Sequence, residues 1–148
     1  LKQGDVIIAG TAVGRVRTML DYKGGRLTEA GLLDYVAMDI KNSPERYGET
    51  AGRPGLDLAP FRESVSFLLS GAVDYEFRTT LVRELHRPED LDAIAAWLAG
   101  APRYYLQNFV DSGNLIGRGY HGFTAEQLQG FAERVRPFFG AVELRGID

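Results

Sequence analysis

From residue 35 onward the apolar spacing alternates between two residues and about 3.6, and few folds accept that pattern. Tyr35–Ile40, Tyr75–Val82, Tyr104–Phe109 and Ala141–Leu144 read as strands. Between them lie helical stretches. One starts near Asp57 as N-cap, buries a stripe of Leu58, Phe61, Val65, Leu68 and Leu69, and ends at Gly71. A second has Pro88 in its first turn, then Glu89 and Asp90, whose charges suit a helix N-terminus, with Leu91, Ile94, Ala95 and Leu98 as its stripe. In a third, Thr124 and Gln127 form a capping box ahead of Leu128, Phe131, Ala132 and Val135, and Pro137 stops it. Helices between successive strands imply right-handed βαβ units and a mostly parallel sheet. The segment from Ser43 to Pro54 reads as loop, and a glycine-rich loop runs from Asp111 to Gly122.

The character differs before residue 31. Val6–Ala9 is a short apolar run between glycines, and Val13–Met19 alternates apolar and basic, as a strand with one wet face does. Asp21–Gly25 reads as a turn. Two or three short antiparallel strands are expected here. The fold expected is therefore α/β: a partial (β/α) barrel of about four mostly parallel strands and three helices, preceded by a short antiparallel β unit.

Composition narrows the chemistry. The 148 residues carry a net charge of −3 and no cysteine. The pI near 5.4 argues against strong attraction to nucleic acid or an anionic membrane. Without thiols there are no disulfides, thiolate nucleophiles or cysteine-ligated clusters. The two histidines, His86 and His121, read as loop residues rather than catalysts, and no metal site is expected. No run is long and apolar enough to span a bilayer. The cytoplasm is the default compartment, and a first residue other than Met suggests an excised or processed segment.

In parallel α/β folds functional groups gather at the C-terminal ends of strands. Those ends carry Asp39 and Lys41, then Arg78 with Thr79 and Thr80, then Gln107 and Asn108. A Lys and an Arg at one mouth suit a carboxylate or phosphate. An Asp and a Gln suit ribose hydroxyls or an ammonium. The plain alternatives are a solvated strand end for Asp39 and Lys41 and a structural ion pair for Arg78. Arg78 lies between apolar neighbours, which favours a barrel lumen. Tyr104 and Tyr105 read as core and surface packing, and Arg15 and Arg17 as a solvated strand face, with nucleic acid contact as the sharper alternative.

Several of these segments resemble a known family. Gly31–Lys41 resembles the GL-DYVAMDIK segment of anaerobic ribonucleoside-triphosphate reductase activating proteins, and Tyr75–Thr80 their YEFRTT strand. His86 with Pro88–Asp90, then Gly100–Phe109, then Val142–Gly146 are similar to further segments of that family in the same order. The resemblance covers residues 32–148. It implies a radical S-adenosylmethionine barrel, in which a CxxxCxxC loop holds a 4Fe-4S cluster and the enzyme generates a glycyl radical on its partner, the anaerobic ribonucleotide reductase. It also implies that Asp39, Lys41, Arg78 and Gln107 line the S-adenosylmethionine pocket, with Lys41 near the methionine carboxylate. The cysteines are absent, so no catalytic residue is assigned, the cluster is not expected, and only weak S-adenosylmethionine binding is.

Residues 1–31 do not fit that family. Leu1–Arg17 resembles the β-barrel domain that follows the GTPase domain of bacterial translation initiation factor two, and carries no P-loop. The chain thus reads as a chimera of two parents, whether a natural fusion, a gene-assembly error or a deliberate recombination. Three readings of function follow: an inactive activating-enzyme fragment, a folded chimera without ligand, and a ribosome- or tRNA-binding module. Cutting a barrel exposes strand edges, so self-association is expected as well.

Overall fold

The computed structural model describes residues 6–9, 12–15, 19–20, 26–27, 35–111 and 119–147. The chain divides into two compact units, Leu1–Tyr35 and Val36–Asp148.

The first unit holds two antiparallel pairs. Strand β1 (Val6–Ala9) pairs with β2 (Ala12–Arg15), Val6 opposite Arg15 and Ala9 opposite Ala12. Strand β3 (Met19–Leu20) pairs with β4 (Arg26–Leu27). The expected single strand over Val13–Met19 is instead divided between two sheets. The turn expected at Asp21–Gly25 lies outside the described residues.

The second unit is a partial (β/α) barrel. Its strands are β5 (Tyr35–Asp39, beginning at the last residue of the first unit), β6 (Asp74–Leu81), β7 (Arg103–Asn108) and β8 (Ala141–Arg145). They form a parallel sheet in the order β5-β6-β7-β8, so spatial order follows chain order. A helix crosses over between each pair: α2 (Ala59–Leu69), α3 (Pro88–Trp97) and α4 (Ala125–Val135). A sequential order of parallel strands, each followed by a helix, is that of a barrel, whereas a doubly wound sheet reverses its order at a switch point.

Side-chain alternation separates the two faces of the sheet. Phe77, Leu81, Tyr104 and Leu106 are completely buried and share one core with Leu91, Ile94, Leu98, Leu128 and Val135 of the helices. Val36 and Met38 of β5 and Val142 and Leu144 of β8 pack against that core while staying partly exposed. Strand β5 was expected to be buried, but alternate residues, Tyr35, Ala37 and Asp39, are exposed. It lies at the end of the strand order, which leaves it less covered than β6 and β7.

The helix ends follow local chemistry. Thr124 Oγ accepts from Gln127 N at 3.2 Å and Gln127 Oε1 accepts from Thr124 N at 3.0 Å, the expected capping box. Helix α2 departs from expectation at both ends of its stripe. Its N-cap is Leu58, although Asp57 still accepts from Ala59 N at 2.9 Å. Val65 and Leu68 are buried, but Leu69, 36% exposed, is turned away by the 100° step from Leu68. The stretch read as loop after Ser43 contains one helical turn, α1 (Tyr47–Thr50), anchored by the buried Tyr47.

Candidate functional site

The open face of the barrel sheet carries the candidate site. Glu76, Arg78 and Thr80 alternate with the core residues of β6, and Tyr105 and Gln107 do so in β7. Across the strands Arg78 lies beside Tyr105 and Tyr105 beside Glu143, while Thr80 lies beside Gln107 and Gln107 beside Arg145. Strand β5 joins at the same level, because Ile40 N donates to the Arg78 carbonyl at 2.7 Å. Asp39, Lys41, Arg78 and Gln107 therefore gather toward the C-terminal ends of three neighbouring strands.

Their pairings differ. Lys41 Nζ lies 3.4 Å from Asp39 Oδ2, and both side chains are more than half exposed. An ion pair that open to water holds its partners weakly, so either can turn to a ligand. Arg78 is engaged by the carboxylate of Glu76, whose side chain is only 5% exposed. Arg145 Nη1 approaches the same carboxylate at 3.9 Å. The Arg145 guanidinium also stands 3.7 Å from the centre of the Tyr105 ring, a cation–π contact. The sequence offers Glu76 and Arg145 no site role, and it offers Tyr105 as packing with Tyr104. The period-two set Glu76, Arg78, Thr80 was the signal that would have found Glu76.

Two residues grouped with these strand ends serve the scaffold instead. Thr79 faces the core, where its Oγ accepts from the Tyr104 hydroxyl at 2.8 Å. Burial raises the Tyr104 pKa well above that of a free phenol. Asn108 clamps the backbone of Phe123, donating to its carbonyl at 3.0 Å and accepting from its N–H at 2.9 Å. Gly122 permits that clamp, since a Cβ there would lie 2.7 Å from Asn108 Oδ1 and 2.5 Å from the Phe109 carbonyl.

Beside the site, a buried polar latch holds the chain after β5. Asn42 donates to Thr50 Oγ at 2.8 Å and to the Leu85 carbonyl at 3.0 Å. Asp90 accepts from Arg46 at 2.6 Å, Ser43 Oγ at 3.3 Å and Arg87 N at 2.9 Å. His86, a loop residue as expected, is buried here. Val82 N donates to its Nδ1 at 3.1 Å, which assigns the proton to Nε2, 2.9 Å from the Lys41 carbonyl. Burial lowers the His86 pKa and keeps the ring neutral. His121 is exposed and pairs with Glu84 at 2.8 Å. Among the described residues no three His, Asp or Glu side chains come together as a metal site. Nor is any described helix long and apolar enough to cross a membrane.

No protein-family model matches the chain. No solved structure matches it significantly. A stretch of 31 residues, 21% of the chain, is 64% identical to part of translation initiation factor IF-2 of Rubrobacter xylanophilus. The chain spans about 4% of that protein's length, and the match accords with the resemblance read in the first segment.

Proposed function

We propose that residues 32–148 are the second half of a radical S-adenosylmethionine activating-enzyme barrel, kept as a scaffold with a weak ligand surface and without radical chemistry. The observation that carries this is the two-sided sheet. Helices pack on one face, and the other gathers Asp39, Lys41, Arg78 and Gln107 where such barrels hold ligands.

The 4Fe-4S cluster of the family does not fit these residues. The sequence has no cysteine, and no alternative ligand group assembles among the described residues. S-adenosylmethionine fits better. Lys41 would meet its methionyl carboxylate, Asp39 its ammonium or ribose hydroxyls, and Gln107 a polar edge of the adenine. The partner implied by the family, an anaerobic ribonucleotide reductase, belongs to this reading only.

Titration calorimetry with S-adenosylmethionine tests it. Weak binding is expected, reduced several-fold in Lys41→Ala. The second reading, a folded chimera without ligand, is favoured by the engagement of Arg78 with the buried carboxylate of Glu76. It predicts no heat at any concentration.

A further inference from the structure

We infer that the outer edge of β8 is a self-complementary docking strand, which pairs antiparallel with β8 of a second copy about a two-fold axis at Leu144. Strand β8 ends the strand order, and among the described residues no strand pairs with its outer edge. An edge of this kind presents unpaired N–H and C=O groups, the template for adding another strand. Ala141–Arg145 contains no Pro and no Gly to blunt it.

The sequence of β8 selects its partner. Centred on Leu144, antiparallel pairing sets Glu143 opposite Arg145 of the second copy, twice by symmetry. It also sets Leu144 opposite Leu144 of the second copy, which extends the partly buried apolar row of Val142 and Leu144. Shifting the axis to Glu143 or to Arg145 opposes like charges. Shifting it by half a step sets polar residues opposite apolar ones. Glu143 is exposed, and the Arg145 side chain, 41% exposed, would exchange its contact with Tyr105 for Glu143 of the second copy. The area is small for a protein interface, which places the dimer in the weak, concentration-dependent class.

The test uses the lack of cysteine in the chain. Leu144→Cys puts one thiol on the axis. Opposed residues of an antiparallel pair are about 4.5–5.5 Å apart at Cα, within disulfide reach. Under mild oxidation this variant should form a covalent dimer at least about tenfold faster than Phe67→Cys, a control at an exposed position of α2. Separately, sedimentation equilibrium of the unmodified protein should show a monomer–dimer equilibrium. Glu143→Arg, a surface change that spares the core, should weaken it about tenfold at low salt. Equal cross-linking of the two cysteine variants, a monomer at every concentration, or a dimer indifferent to Glu143→Arg would each overturn the proposal.

Discussion

The two faces of one parallel sheet do different physical work, although their residues alternate along the same strands. On the helix side, Phe77, Leu81, Tyr104 and Leu106 have no solvent exposure and are held by close packing. On the open side, Glu76, Arg78, Tyr105 and Arg145 are held by charge and by the face of an aromatic ring. Core packing and surface charge are thus separable by sequence parity. A substitution at one position should unfold the protein, while its neighbour changes only what the surface binds.

The sharpest break of this contrast uses adjacent residues of β7. Leu106→Ala should cost about 2–5 kcal/mol, because it opens a cavity in a core that cannot collapse to fill it. Gln107→Ala should stay within about 0.5 kcal/mol. Urea denaturation of the pair measures both, and equal losses would show that the open face is packed as tightly as the core.

A smaller effect is expected at Glu76. Its carboxylate is almost completely buried beneath two arginines, so Glu76→Ala should cost about 1–2 kcal/mol. The loss stays below that of Leu106→Ala because Arg78, one-third exposed, can take water instead. If S-adenosylmethionine binds, the same change should strengthen binding by freeing Arg78, and calorimetry of the variant measures that.

The smallest effect lies at the rim, where His86 joins the end of β5 to the end of β6. Burial lowers its pKa, so the folded state takes up its proton later than the unfolded state. Its contribution is complete above the unfolded pKa of about 6.5 and is lost as pH falls through the lower folded value. The urea midpoint should therefore fall below about pH 6.5, and His86→Gln should remove that part of the slope. Identical profiles for the two proteins would mean that His86 titrates as it does in the unfolded chain.

How much of this was legible in advance depends on the range of the forces involved. The period-two and period-3.6 runs located the strands and helices of the second unit. Pro88 and the Thr124–Gln127 box marked helix starts, because capping is settled within one turn of chain. The alternation through β6 already placed Arg78 opposite to its core neighbours. No local rule could choose Glu76 as the partner of Arg78, bring Arg145 from the neighbouring strand onto Tyr105, or turn Asn108 from a ligand candidate into the clamp on Phe123. Those contacts join residues distant in sequence or choose among several partners in reach, and only the register of the parallel strands decides which side chains meet. The sequence by itself determined the alternation of elements, the lack of thiols and the acidic balance. The tertiary structure alone decided which charges are satisfied, which strand ends the sheet, and how much of each apolar row stays open to water, since these depend on neighbours that the sheet brings together.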